Sequence, residues 1–130
     1  MNISFVLAVY NKLELTKECY KNLRKVYPKA PLVISSGGSS DGTKEWLESL
    51  NDENLSLFHD DDRLTFSETY NAGIDLVDTE KLVLIHNDMV IGKGFLENLD
   101  RLLDENPNTL LSYTTIEPPI FEGHKRPGKV

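Results

Sequence analysis

The residues best suited to take part in chemistry directly follow a strongly apolar segment. Residues 81–86 read Lys-Leu-Val-Leu-Ile-His, and Asn87 and Asp88 follow. A carboxylate at the end of a buried strand can hold Mg²⁺ or Mn²⁺, because such ions take one or two protein carboxylates and leave other positions to phosphates. The alternative is a simple turn, since Asn and Asp favour strand ends by bonding to their own backbone. Asp88 is the leading candidate metal ligand.

A second acidic group follows another predicted strand. Residues 60–62 are all aspartate, and Arg63 comes next. The run either contributes to a metal site or is a solvated loop, which is the commoner role of an acidic run. Arg63 either pairs with these carboxylates or faces phosphate groups, and the sequence leaves both possibilities open.

Several common catalytic and nucleotide-binding motifs are absent from the sequence. There is no P-loop, and the first strand leads into Ala-Val-Tyr-Asn-Lys in place of the dinucleotide-binding G-x-G-x-x-G. There is no G-x-S-x-G elbow, and neither His59 nor His124 has an evident serine partner for a nucleophilic triad. One cysteine and three scattered histidines do not give the spacing of a zinc site.

The elements that would position these residues alternate between strands and helices. Apolar runs predict strands at 3–9, 32–35, 55–59, 81–86 and 110–115, and helical spacing predicts four helices between them. Asp41 is placed to cap the second helix and Ser67 the third. This alternation predicts a three-layer α/β/α sandwich with a mainly parallel, Rossmann-like sheet. Ligands of such sheets bind beyond the carboxyl ends of the strands, where the polar residues of this chain fall.

Length and composition describe one globular domain. We predict a folded domain over 1–115 and an extended or poorly ordered tail over 116–130. The net charge of −7 argues against sequence-independent nucleic-acid binding, which needs clustered basic residues. The single cysteine, Cys19, precludes an internal disulfide, and no secretion signal or membrane span is evident, so we predict a cytoplasmic protein. Peripheral membrane contact and oligomer formation are both compatible with the sequence.

Five segments, in order along the chain, resemble family-2 glycosyltransferases of the GT-A fold. They are similar to the family's V-x-Y-N turn, its G-S-T-D-G-T loop, its N-x-G stretch, its D-x-D strand end and the helix that follows. Each match is weak alone, but the common order makes the set specific. The resemblance implies the nucleotide-sugar-binding portion of such an enzyme, without the acceptor-side half. The matching segments are residues 3–12, 38–43, 66–73, 84–89 and 94–99.

The resemblance also implies which residues contact the nucleotide. Ala8 and Tyr10 would contact the base, and Asn71 would shape the floor of the pocket. Ser36 stands where the family usually has an aspartate that reads the base or ribose, whereas Asp41 would hold its loop in a structural role. The implied nucleotide-binding residues are Ala8, Tyr10, Asn11, Ser36, Asn71 and Asn87.

The implied reaction is the inverting transfer of a sugar from a UDP-, GDP- or dTDP-sugar to the hydroxyl of a saccharide or other acceptor. Asp88 would hold Mn²⁺ or Mg²⁺ at the diphosphate and so neutralise the charge of the leaving group. His86 stands where many members have the first aspartate of D-x-D, and it is either a second metal ligand, a residue that supports the ligand, or an ordinary strand-end residue. A general base is not identified. After Glu105 the only acidic residues are Glu117 and Glu122, and neither lies in a recognisable motif.

Two alternative functions stay open at this point. Ser36 and Gly37 replace an acidic pair that is common in the family, and with the missing base they are compatible with a non-catalytic or truncated nucleotide-sugar-binding module. A flavodoxin-like or receiver-like signalling domain has a similar size and alternation. A receiver, however, needs paired acids after its first strand, where this chain has Tyr10 and Asn11.

Overall fold

The computed structural model describes residues 2–113, in which strands and helices alternate. None of the helices in this part of the chain combines the length and apolarity that a membrane span requires. In chain order the elements are β1 (Ile3–Val9), α1 (Leu13–Val26), β2 (Leu32–Gly37), α2 (Thr43–Ser49), β3 (Leu55–Asp60), α3 (Phe66–Ile74), β4 (Lys81–Ile85) and α4 (Phe95–Glu105).

The strands form one parallel sheet in the order β3-β2-β1-β4. β1 pairs with β2 up to Val9 opposite Ser36, and with β4 up to Leu7 opposite Ile85. Parallel strands need a crossover between them, and the helices supply it. The predicted parallel α/β fold is therefore confirmed, and all four strands end at one edge of the sheet.

One face of the sheet carries the main hydrophobic core. Every residue of β1 is buried, and its odd-numbered side chains pack with the apolar sides of α1, α2 and α4. Each large aliphatic side chain removed from water in this way contributes roughly 1.5–3 kcal/mol before the entropy cost of ordering it. Cys19 is one of these core residues. The helical residues buried here are Cys19, Leu23, Leu47, Leu96 and Leu99.

The opposite face of the sheet is covered by α3, which approaches the strands closely. A Cβ atom built on Gly73 would lie 3.1 Å from Ser35 Cβ and 3.1 Å from Val6 Cγ1, so a side chain here would press on two strands. The buried Ser35 hydroxyl donates to the Thr69 carbonyl at 2.6 Å, which satisfies its hydrogen-bonding capacity. With α3 in place, the sheet lies between two helical layers.

The start of α3 differs from the prediction. Thr65, not Ser67, is the N-cap: its hydroxyl accepts from the Glu68 N–H at 3.2 Å, and its own N–H donates to the Glu68 carboxylate at 3.0 Å. This reciprocal pair is a capping box, which the sequence Thr-x-x-Glu could have indicated. Ser67 lies inside the first turn of the helix, so the predicted cap was two residues late.

The fifth predicted strand, residues 110–115, is not a strand over 110–113. Within these residues, Tyr113 turns onto β4: its hydroxyl donates to the Leu84 carbonyl at 2.6 Å, and its ring meets Phe95 edge-on at 5.3 Å between centroids. Side-chain contacts thus replace the expected backbone pairing. Residues 114–115 and the predicted tail over 116–130 lie outside the described residues.

The close approach of α3 predicts a steric cost at Gly73. We expect Gly73→Ala to lower the free energy of unfolding by about 1–2 kcal/mol, because overpacking of about 1–3 kcal/mol exceeds the helix-propensity gain of about 1 kcal/mol. Urea denaturation measures the change. Gly92→Ala is the control, since no atom lies within 4 Å of a Cβ built there. Equal stability of the two variants would contradict the tight α3–sheet contact.

Candidate functional site

The carboxyl edge of the sheet gathers most of the residues singled out from the sequence. Tyr10 and Asn11 follow β1, Ser36 lies at the end of β2, and the aspartates 60–62 surround the end of β3. Asn87 and Asp88 follow β4 at the same edge. Asn71 is the exception, since it lies exposed on α3.

The turn after β1 has a strained backbone that is held by the next loop. Asn11 and Lys12 have φ angles of 52° and 60°, in the left-handed region that non-glycine residues seldom adopt. Such residues cost about 1–3 kcal/mol each and persist where surrounding contacts hold them. The Asn11 N–H donates to Ser39 Oγ at 2.9 Å, and Asn11 Oδ1 accepts from the Ser40 N–H at 2.7 Å. These bonds fix the direction in which the preceding residue, Tyr10, leaves the strand.

Asp41 joins the beginnings of two helices. Its Oδ2 accepts from the Leu13 N–H at 3.0 Å, and its Oδ1 accepts from the Thr43 N–H at 3.2 Å and the Thr43 hydroxyl at 2.5 Å. The N-cap position of α2 is Gly42, with a φ of 94°. Asp41, which was predicted to be the cap, hydrogen-bonds to the helix from the residue before the N-cap. Burial alone would raise the pKa of Asp41, but the bonds from Thr43 and Leu13 outweigh it and lower that pKa below 3.8.

The loop after β3 crosses directly over the end of β2. The Gly38 N–H donates to the Asp60 carbonyl at 2.9 Å, and the Leu64 N–H donates to the Gly37 carbonyl at 3.4 Å. Gly38 has a φ of 85°, and a Cβ built on it would lie 2.5 Å from Arg63 Cα. Only glycine fits under the loop, which explains why Gly37-Gly38 is required here and how Arg63 reaches the edge above β1.

A pocket of about 390 Å³ opens between the end of β1 and the start of α3. Tyr10 and Arg63 flank it: the Arg63 guanidinium carbon lies 4.3 Å from the centroid of the Tyr10 ring, a cation–π contact. Of the predicted nucleotide-binding residues, Ala8 and Tyr10 line this pocket and the other four do not. The lining residues are Ala8, Val9, Tyr10, Arg63, Leu64, Thr65, Phe66 and Thr69.

Ser36 is fully buried at the end of β2 and does not reach the pocket. Its hydroxyl is 2.9 Å from Ser39 Oγ and 3.1 Å from His59 Nδ1, and His59 Nε2 is 3.1 Å from Asp61 Oδ1. His59 therefore has a serine neighbour that was not evident from the sequence. Because Ser36 has no exposed surface, this pair is nevertheless not a nucleophilic site. The register that sets Ser36 opposite His59 is a tertiary feature with no local sequence signal.

The acidic run begins at the last residue of β3 and continues into solvent, where Asp61 and Asp62 are exposed. Asp60 accepts from the Asp62 N–H at 2.8 Å, while the exposed Asp61 carboxylate meets His59 and, at 3.4 Å, Lys44. The side-chain hydrogen bond from His59, then the charge of Lys44, lowers the pKa of Asp61. Within residues 2–113 no three His, Cys, Asp or Glu side chains are grouped to hold a metal ion, so the run is not such a cluster.

The segment after β4 is anchored to α1 on both sides of Asp88. Asn87 Nδ2 donates to the Thr16 hydroxyl at 3.3 Å. Asn22 accepts from the Ile91 N–H at 2.6 Å and donates to the Ile91 carbonyl at 3.2 Å. These anchors were not predicted from the sequence, although Asn22 is a polar residue in an amphipathic helix. Asp88 itself is exposed between them.

The charge of Asp88 reaches two groups beside the end of β4, the buried Cys19 on α1 and the half-buried Tyr70 on α3. Burial first, and then the Asp88 carboxylate, raises the pKa of the Cys19 thiol to about 11. Burial is also the main reason that the pKa of Tyr70 rises to about 12, with smaller effects from Tyr113 and Asp88. Asp88 therefore projects negative charge over the carboxyl edge, beside the end of the central strand.

His86 is exposed next to an aromatic pair. Its ring centroid lies 6.0 Å from that of Phe66 and 6.1 Å from that of Tyr70. The Tyr70 hydroxyl donates to the Ile85 carbonyl at 2.6 Å and is 3.2 Å from His86 Nδ1. Since the single Tyr70 proton is used on Ile85, we assign the Nδ1–H tautomer to neutral His86. Its Nε2 lone pair is then available to a ligand.

Two solved structures share this fold. PcManGT from Pyrobaculum calidifontis, a mannosyltransferase in complex with GDP-Man and Mn²⁺, is 23% identical, with a TM-score of 0.68 over 78% of this chain and 32% of that chain. TarS 1–349 from S. aureus is 21% identical, with a TM-score of 0.69 over 81% of this chain and 33% of that one. The chain spans about a third of the length of each. Among curated proteins, a sequence search finds no match.

The parallel sheet and its helices thus form an α/β fold of the GT-A glycosyltransferase type. The family model described as glycosyl transferase family 2 matches residues 4–129. The chain belongs to glycosyl transferase family 2, which confirms the resemblance stated from the sequence. This membership also excludes the flavodoxin-like or receiver-like alternative.

The contacts of Asp41 predict a pH-dependent contribution to stability. We expect Asp41→Ala to lower the free energy of unfolding by about 1–2 kcal/mol at pH 7, as for the loss of a helix cap. Because the pKa of Asp41 is lowered in the folded state, this contribution is complete above the unfolded value of about 3.9 and disappears as the pH falls through the folded value. Urea denaturation between pH 7 and pH 2 measures the difference.

The exposed Asp62, which has no side-chain hydrogen bond within residues 2–113, provides the control for this prediction. Asp62→Ala should change the free energy of unfolding by less than about 0.5 kcal/mol. A pH-independent difference between Asp41→Ala and the parent would contradict the role of the ionised carboxylate.

Proposed function

We propose that this chain binds a nucleoside diphosphate sugar, together with Mn²⁺ or Mg²⁺, for inverting transfer of the sugar to an acceptor hydroxyl. The observation that carries the proposal is Asp88, an exposed carboxylate anchored on both sides at the ligand edge of a family-2 chain. We expect a UDP-, GDP- or dTDP-sugar as donor, a saccharide or other hydroxyl compound as acceptor, and the cytoplasm as the compartment.

The residues present fit a divalent ion that is shared with the substrate. Asp88 supplies a carboxylate, and His86 supplies an Nε2 lone pair two residues earlier. An ion of this class needs few protein ligands when phosphate oxygens complete its coordination, so a three-residue cluster is not required. When bound, the ion would act as a Lewis acid on the leaving diphosphate. Asn87 and Asn22 would then hold the Asp88 segment in place.

The pocket beside β1 fits a nucleotide base and its phosphates. Ala8, Val9 and Leu64 give it an apolar lining, and Tyr10 adds a ring on which a base can stack. Arg63 is an exposed cation at the rim, suited to the oxygen atoms of a diphosphate because a guanidinium can bind them in pairs. We therefore propose that Tyr10 contacts the base, as predicted from the sequence, and that Arg63 contacts the phosphates. The nucleotide contacts predicted for Ala8, Asn11, Asn71 and Asn87 are part of the same proposal.

The second candidate function is binding without transfer. The observation that favours it is Ser36, which is buried under His59 and cannot contact a base directly as an aspartate in its place would. A chain that binds a nucleotide sugar and does not turn it over would have the same pocket and the same Asp88. Sugar transfer by the purified protein, measured as release of the nucleoside diphosphate in the presence of acceptor, distinguishes the two functions.

The metal role of Asp88 is tested by calorimetric titration with UDP, GDP and dTDP, with and without Mn²⁺. We expect Asp88→Asn to weaken Mn²⁺-dependent binding about tenfold or more, as losing a metal ligand or its support does. Asp78→Asn, at the opposite end of β4, removes the same charge and should bind like the parent. If Asp88→Asn kept both the affinity and the metal dependence of the parent, the assignment would be wrong.

The phosphate role of Arg63 predicts a separate loss of affinity. Arg63→Gln should weaken nucleoside diphosphate binding about tenfold, the factor expected for losing hydrogen bonds to a charged group. It should affect the unphosphorylated nucleoside far less, which calorimetry can compare directly. Arg101→Gln is the matched control, because Arg101 pairs with Glu105 on α4, at 3.3 Å and away from the pocket. Equal losses for nucleoside and diphosphate would assign Arg63 to the base.

A further inference from the structure

A continuous chain of hydrogen bonds runs from β3 to the turn after β1. It links His59 Nδ1 to Ser36 Oγ at 3.1 Å, Ser36 Oγ to Ser39 Oγ at 2.9 Å, and Ser39 Oγ to the Asn11 N–H at 2.9 Å. Ser36 is fully buried, and the side chain of His59 is only 15% exposed. Water therefore cannot readily replace a missing partner in the middle of this chain of hydrogen bonds.

The direction of these bonds follows from the single proton of each hydroxyl. Ser36 Oγ donates its proton to Ser39 Oγ, which also accepts from the Asn11 N–H. Because the Ser36 proton is then used, His59 Nδ1 donates to Ser36 Oγ. Losing the group at Nδ1 would leave the buried Ser36 hydroxyl without one of its two partners.

The chain of hydrogen bonds ends at the strained turn that follows Tyr10. Asn11 and Lys12 have positive φ angles, and Tyr10 lines the pocket immediately before them. We propose that His59, through Ser36 and Ser39, is a positioning residue that holds this turn and so presents Tyr10 to the nucleotide. The ligand consequence rests on the proposed function; the control of the turn does not.

Two substitutions separate the two ring nitrogens of His59. The amide N–H of His59→Asn can occupy the place of Nδ1 and donate to Ser36, whereas the longer His59→Gln places its amide near Nε2 and leaves Ser36 without that donor. A residue that only fills space would tolerate both changes alike. The proposal requires His59→Asn to behave like the parent and His59→Gln to fail.

The first measurement needs no ligand. In the parent, ¹⁵N NMR of the imidazole should show a proton on Nδ1 of His59. Hydrogen exchange of the Asn11 amide should quicken about tenfold or more in His59→Gln and change little in His59→Asn, since local opening sets this rate. An Nδ1 without a proton, or equal exchange in the two variants, would overturn the proposal.

Ser39→Ala breaks the same chain of hydrogen bonds at the residue that contacts Asn11. This variant keeps the test decisive if His59→Gln folds poorly. It should quicken Asn11 exchange as well, and adding His59→Gln to it should have little further effect, because the two changes remove one coupled unit. Additive effects would show that His59 acts on the turn by another route, and the proposed chain would be wrong.

Nucleotide affinity then tests the consequence for binding. His59→Gln should weaken nucleoside diphosphate binding about tenfold relative to His59→Asn, the factor for a difference of roughly 1.4 kcal/mol. Equal affinity of the two variants would contradict the link from the turn to Tyr10. If the parent bound no nucleotide, the proposed function would fail, while the tautomer and exchange results would still decide whether His59 holds the turn.

Discussion

The burial of β1 on both faces is the constraint on which the rest of the structure depends. Ile3, Phe5 and Leu7 face one helical layer with no exposed surface, while Val6 is covered from the other side by α3. A strand of this kind cannot carry functional polar groups along its length, since a buried unpaired polar group is costly. Ligand chemistry is therefore restricted to the carboxyl edge, where Tyr10 is the first residue free of the sheet.

The arrangement of the carboxyl edge of the sheet depends on a close contact between two backbone segments. Gly37 and Gly38 let the loop after β3 pass over the end of β2, and this crossing brings Arg63 above Tyr10. The same path places His59 against Ser36, under the loop. Where the family often has an acidic pair, this chain has a residue without access to solvent and a glycine without room for a side chain. Ser36, Gly37 and the loop that crosses over them thus pack as one unit.

Electrostatics supports the proposed role of a cation at this edge. The chain has a net charge of −7, and Asp88 and the aspartates after β3 add negative charge where a diphosphate would bind. An anionic ligand meets repulsion there unless positive charge intervenes. Arg63 supplies one unit on the β3 side, and a divalent ion at Asp88 would supply two on the β4 side. The two cationic positions would then flank the end of β1.

The sequence by itself determined the alternation of elements, the parallel sheet and the polar strand ends, because apolar periodicity and turn chemistry are local properties. The sequence also indicated the family, since five short motifs, such as the one that contains Asn87 and Asp88, occur in the family's order. The capping box of Thr65 and Glu68 is local as well, although the prediction placed the cap at Ser67. Only the tertiary structure decided that residues 110–113 lie outside the sheet, and that Ser36 is sealed beneath His59. Those outcomes depend on strand register and on a loop crossing between distant residues. Such contacts are set by three-dimensional packing, which no local pattern encodes.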